Sequence, residues 1–275
     1  MNSRLDHIMA KMPTSEYSNY KKYLCPKGKK VVQFSMGRTG STLIGRILKH
    51  IYPEDEIILR HPDPMEYSNA IQFNQNDMIV SSYRHPIDST LSLIRVQEYG
   101  DRKIKMKSVD DDILNKHIDD RRCTHARFKQ NMEDHKGPQL KLKYEIFWND
   151  YDYIFDNLEK FFKIEIDKEH RKDIGENCGI KNTVKIQKSL MKNMDKSFRR
   201  SVNWSHMGSN LAVKNSLAEA IKTKNYFYGH DEETQVHGNH IMTPEPYNYK
   251  LILTPEQIDV AEEQLSEAIE EWKIL

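Results

Sequence analysis

The chain has 275 residues, enough for one α/β domain with a sizeable core or for two small ones. Its 42 basic and 41 acidic residues nearly cancel, so bulk charge gives no reason to expect nucleic acid or an anionic membrane as partner, and any anion site must be local. The three cysteines, Cys25, Cys123 and Cys178, lie far apart with no CxxC spacing, which argues for a reducing compartment and against a disulfide frame or zinc module.

In chain order, residues 1–29 are polar, end in PKGKK and read as a lead-in to a single domain over 30–275. The opening MNSRLDHIMAKMPTSEY lacks the apolar core of a signal peptide. No stretch of about 18 apolar residues occurs, so a soluble, cytoplasmic protein is expected. Val31–Phe34 (VVQF) predicts a short buried strand. After a turn, Leu43, Ile44, Ile47, Leu48 and Ile51 recur at helical spacing and should face a sheet. Residues 56–59 (EIIL) and Met78–Tyr83 (MIVSSY) predict a second and a third strand, and Pro86 suits the first turn of another helix.

The stretch 101–136 is very charged and predicts a helix with a solvated face. Its His117, His125 and His135 do not form a compact ligand set. Residues 139–144 (QLKLKY) alternate as a strand with one exposed face would. Tyr153, Ile154, Leu158, Phe161 and Phe162 suit a helix packed on it. Residues 165–225 look helical and 226–250 look like a long loop. In the last helix Thr254 can cap, Pro255 takes the first position and Gln257 completes a capping box. Strands alternating with helices point to an α/β fold of three layers around a central parallel sheet.

Two segments carry chemistry. The first is SMGRTGST, residues 35–42, between the first strand and its helix. A strand, a Gly-containing turn and a helix opening with hydroxyl residues make an anion cradle, because backbone N–H groups converge there and the helix dipole favours negative charge. The magnesium-nucleotide version needs a Lys directly before its hydroxyl residue. Here Gly40 is followed by Ser41 and Thr42, and the turn's cation is Arg38. The second segment is YRHPIDSTLS, residues 83–92. Arg84 ends a predicted strand, where open parallel sheets bind ligands, and Ser92 lies in the following helix. The two would grip one oxyanion from two sides. Taken alone, the segment is better read as an Arg paired with a surface acid and a Ser on a solvated face.

Together the two segments resemble the sulfotransferase family, whose donor is 3′-phosphoadenosine 5′-phosphosulfate. Gly37-Arg38-Thr39-Gly40-Ser41-Thr42 is similar to the family's phosphosulfate loop, with Gly where relatives have Pro. Arg84, Pro86, Asp88 and Ser92 match all four positions of its 3′-phosphate motif. The likeness covers about residues 31–95. It implies a sheet architecture like that of P-loop nucleotide kinases and a donor held by the amides of 38–42 with the hydroxyls of Thr39, Ser41 and Thr42. It further implies that Arg38 neutralises charge as the S–O bond breaks and that Arg84 and Ser92 grip the 3′-phosphate. No metal is required, since cationic side chains suffice for a sulfuryl group.

The resemblance also implies that His61, at the end of a predicted strand before Pro62, is the general base, a task imidazole suits at neutral pH. Glu66 and Asp63 are its rivals. Tyr144-Glu145 resembles the family's Tyr-Glu-Asp, whose Tyr lies near the adenine; Ile146 replaces the Asp. The loop at 236–241 has no Arg-Lys-Gly run, but Gly238, Asn239 and His240 stand where relatives close over the 3′-phosphate. His237 and His240 have metal-like spacing without a third ligand. Asn203-Trp-Ser205 matches a glycosylation sequon, read as a chance match without a secretory signal. The rival readings are a P-loop kinase with a degenerate loop and a catalytically inactive nucleotide-binding module. The acceptor segments, 63–76, 97–136 and 190–240, match no known pattern; their polarity favours a small molecule or a carbohydrate.

Overall fold

The computed structural model describes residues 22–60, 74–98, 106–193 and 245–275. Four short strands make one parallel sheet: β1 (Val31–Phe34), β2 (Ile57–Arg60), β3 (Met78–Tyr83) and β4 (Gln139–Lys143), in spatial order β2-β1-β3-β4. Val31 pairs with Ile57 on one side and with Met78 on the other. From β1 the chain steps outward to β2, then returns to the opposite side of β1 for β3. That reversal is a topological switch point, the place beyond the carboxyl ends of β1 and β3 where open parallel sheets bind ligands.

Side chains alternate across a strand, so each strand feeds two cores. Val31, Met78, Val80 and Leu142 pack with helices α1 (Ser41–Ile51), α5 (Tyr151–Phe162) and α6 (Lys168–Cys178). Val32, Phe34, Ile79 and Tyr83 pack on the other face with Phe128 and Met132 of α3 (Asp111–Asp134). A third cluster joins α2 (Pro86–Gln97) and α3 to α8 (Pro255–Gln264) and α9 (Ser266–Lys273). This is the three-layer α/β architecture that the alternation of elements predicts. Strands covered on both faces read as apolar runs, which is why β1 and β3 are found at the expected residues. No helix among the described residues is long and apolar enough to cross a membrane.

The boundaries differ in small ways. β2 begins one residue later than expected, and β4 stops at Lys143 because Tyr144 opens a short helix, α4 (Tyr144–Phe147). The expected last helix is two, divided at Leu265, and its Thr254 capping box is formed. The helical stretch expected after residue 165 is α6 and α7 (Ile180–Asn193) as far as the described residues reach. Arg46 of α1 is buried and donates to the carbonyls of Asn177 (2.6 Å) and Cys178 (3.3 Å) and to Thr183 Oγ1 (2.6 Å). A guanidinium thus caps the carboxyl end of α6, where the helix dipole favours a cation.

The reading of the 101–136 stretch as a solvated face is corrected. Leu114, His117, Ile118, Arg121, Thr124, His125, Phe128 and Met132 of α3 are buried at steps of three and four, a core stripe hidden by its polar members. Burial of these polar groups is tolerated because they find partners. His117 Nε2 lies 2.8 Å from Glu98 Oε1, His125 Nε2 lies 2.9 Å from Glu271 Oε2, and His135 Nε2 donates to the Asp77 carbonyl at 2.8 Å. Glu271 also accepts from Tyr83 Oη and Lys141 Nζ, each at 3.2 Å, so one carboxylate ties α9 to α3, β3 and β4.

The His125 hydrogen bond, outweighing burial and helped by Lys141, holds the Glu271 carboxyl at about 2 against an ordinary 4.5. A carboxyl depressed in the folded state stabilises above its unfolded value and loses that contribution as pH falls through the folded one. Glu271→Gln should therefore destabilise the protein by about 2 kcal/mol at neutral pH. In urea titrations the difference from wild type should shrink as pH drops from 4.5 towards about 2. A difference independent of pH would mean that packing, not the charge, is what Glu271 contributes.

Candidate functional site

The site grows from the turn that follows β1. Ser35 Oγ accepts from the Ser82 amide (2.8 Å) and from Gln33 Nε2 (2.8 Å), fixing the end of β1 to β3. Thr39 is fully buried; its hydroxyl donates to the Met36 carbonyl at 2.8 Å and lies 2.9 Å from Ser82 Oγ. In this structure the Thr39 hydroxyl braces the turn from inside. Ser41 and Thr42 open α1, whose N-cap Gly40 supplies no side-chain hydrogen bond and whose first turn holds no acid. Its amides therefore end the helix as orphan donors with the dipole unopposed.

Two residues of the turn are left-handed, Arg38 at φ 72° and Gly40 at φ 89°. Gly40 answers two demands at once. A Cβ there would meet the Phe147 ring at 2.8 Å and the Tyr144 ring at 2.9 Å, and its backbone conformation is one that L side chains avoid. The close approach brings Tyr144 against the turn.

The two sequence motifs meet directly: Arg38 Nε donates to Ser92 Oγ at 3.0 Å. Arg84, buried at the end of β3, lays its guanidinium 4.5 Å over the Tyr144 ring and reaches the Glu245 carbonyl at 3.4 Å. Its Nε is buried with no hydrogen-bond partner. Asp88 accepts from the amides of Tyr247 and Tyr249 and so docks the segment 245–249 beside Arg84. Burial pushes the Asp88 carboxyl up, opposed first by Arg84. Glu145 accepts from the His85 amide (2.7 Å) and from Trp272 Nε1 (2.9 Å), which gives this acid of the Tyr144-Glu145 pair a structural task. Arg38, Thr39, Gly40, Ser41, Thr42, Arg84, Ser92 and Tyr144 thus gather in one place. His61 and Gly238 lie outside the described residues.

One residue of this neighbourhood was missed from sequence. Arg121 of α3 is 3% exposed, and both its terminal nitrogens donate to the Gly37 carbonyl at 3.2 Å. Burial chiefly, then Arg38 and Arg84, bring its pKa down to about 10. The signal was available: Arg121 sits on the stripe of Leu114, Ile118, Phe128 and Met132.

No family model matches the chain, and no curated protein is similar to it in sequence. Among solved structures it is similar to the mouse sulfotransferase SULT7A1 complexed with PAP. The two share 12% identity and a TM-score of 0.54, over 89% of this chain and 86% of that one. The chain therefore has the sulfotransferase fold.

The packing around Gly40 makes a direct prediction. Gly40→Ala should destabilise the protein by about 2 kcal/mol or more, through the left-handed backbone and the displaced rings. Chemical denaturation measures it; a loss under about 0.5 kcal/mol, within the range of ordinary surface changes, would show that the turn accepts a side chain.

Proposed function

We propose that the chain is a sulfotransferase that takes a sulfuryl group from 3′-phosphoadenosine 5′-phosphosulfate and delivers it to a hydroxyl or amine of a small-molecule or carbohydrate acceptor. The observation that carries this reading is the bond from Arg38 to Ser92, which makes one site of the phosphosulfate-like turn and the 3′-phosphate-like motif. The residues fit the donor. The uncapped end of α1 offers amides to the 5′-phosphosulfate, and Arg84 has a buried, unpartnered Nε where a 3′-phosphate would complete it. The PAP in the mouse enzyme supports the same choice of nucleotide.

On this reading Arg38 stabilises the charge that develops as the S–O bond breaks, Tyr144 borders the base, and Ser92 holds Arg38 while facing the 3′ side. Guanidinium charge stands in for a metal ion. Residues 30–275 act as one catalytic domain, with Gly238 contributing to closure over the 3′-phosphate. His61 takes the acceptor's proton.

Adenosine 3′,5′-bisphosphate should stabilise the protein without magnesium, by about 2.7 kcal/mol at 100 times its Kd. Arg84→Ala should weaken that ligand by about 1.5–3 kcal/mol and leave adenosine 5′-phosphate nearly unchanged. A shift abolished by EDTA, or a stronger one with ATP and magnesium, would replace this reading by a kinase.

His61→Ala should retain bisphosphate affinity while turnover falls about 10²–10⁴-fold, and the rising limb of the pH–rate profile should vanish. Near-normal turnover in His61→Ala, with Glu66→Gln inactive, would move the base to Glu66.

A further inference from the structure

Arg121 stands apart from both motifs in sequence, yet it meets the turn after β1 at Gly37. Its two terminal nitrogens converge on one acceptor, the Gly37 carbonyl, and its Nε is buried without a partner. A trans peptide points its carbonyl and its N–H in opposite directions. Holding the Gly37 carbonyl towards α3 therefore turns the Arg38 amide away from α3. The hold is needed because the opposite arrangement is the relaxed one. Flipping the Gly37–Arg38 peptide would change ψ of Gly37, which glycine permits, and would carry φ of Arg38 from 72° to the negative side that an L residue prefers. A left-handed non-glycine residue persists only where its surroundings over-determine it.

We propose that Arg121 is a positioning residue for the anion bound at the turn: it locks the Gly37–Arg38 peptide with its carbonyl out of the cradle and the Arg38 amide turned into it. The assignment rests on the donor reading above, and it deepens that reading on the 5′ side. Arg84 serves the 3′ end of the nucleotide and Arg121, through Gly37, serves the 5′ end. The third guanidinium also crowds Arg38 and Arg84, a repulsion that a bound polyanion relieves.

The test is calorimetry without magnesium on wild type, Arg121→Met and Arg121→Lys, with three adenosine phosphates and inorganic pyrophosphate. In Arg121→Met, adenosine 5′-phosphate and adenosine 3′,5′-bisphosphate should each bind roughly 10- to 100-fold more weakly, the loss of a charged hydrogen bond. Adenosine 3′-phosphate should change less than about threefold, within ordinary mutational scatter. Arg121→Lys keeps the charge but not the two-nitrogen grip, and should recover only part of the loss. It also serves as the readout if Arg121→Met does not fold. Equal weakening of 3′ and 5′ ligands, full recovery by Lys, or no loss at all would each overturn the positioning role. The donor reading is judged separately. A wild type that binds inorganic pyrophosphate but not the bisphosphate removes that reading, and the same two variants then decide Arg121 on pyrophosphate. A wild type that binds neither overturns both.

Discussion

Three guanidinium groups, those of Arg38, Arg84 and Arg121, gather beyond the carboxyl ends of β1 and β3, close enough for the first two to depress the third. Like charges in a partly desolvated crevice repel, and much of the surrounding structure answers that repulsion. Ser92 takes Arg38, the Tyr144 ring lies under Arg84, and the Gly37 carbonyl takes Arg121. These partners are neutral. The Asp88 carboxylate, which feels the charge of Arg84, has both oxygens engaged by the amides of Tyr247 and Tyr249. The Ser92, Tyr144 and Gly37 contacts hold the cations in place without themselves cancelling their charge, which suits a site that receives an anion.

Such a site needs a stiff frame, and polar ties supply much of it. The Ser35, Thr39 and Ser82 hydroxyls stitch the end of β1 to β3. Glu271 binds the last helix to α3 and to two strands, and Arg46 closes the end of α6. Each tie joins elements distant in sequence and braces at least one element that carries a site residue or adjoins one. Apolar packing on both sheet faces provides the bulk of the stability, while these bonds set the register to which the guanidiniums are held.

The strands and the two motifs were legible because their signals are local: apolar runs, a Gly turn before a helix, and an Arg with a Ser eight residues on. The capping box at Thr254 was legible for the same reason. Arg121 was harder to see. It lies on the stripe of Leu114, Ile118, Phe128 and Met132, while Arg122 beside it is exposed and pairs with Asp119, but the stripe's polar members disguise its period. The packing of α3 adds what the stripe does not give, the Gly37 carbonyl as the partner of Arg121. The same holds for His117 and His125, whose carboxylate partners come from α2's end and α9. The contact of the Thr39 hydroxyl within the turn was not legible, because sequence gives the residue type and not the direction of its proton. Here the Met36 carbonyl takes it.

On the proposed function, an arginine at position 38 is a consequence of this frame. Lysine is a point charge on a flexible stem, while guanidinium is a planar fork that can hold one neighbour and face another. Arg38 Nε is committed to Ser92 of α2, and its own backbone is left-handed within the turn that Arg121 grips. Lysine would keep the charge and lose the link to α2. Guanidinium is also effectively always protonated, so it stabilises the departing phosphate as a fixed charge and does not supply a proton. Catalysis then rests on holding that charge in register with the turn, and the residues that fix the register, Ser92 and Arg121, matter as much as the cation itself.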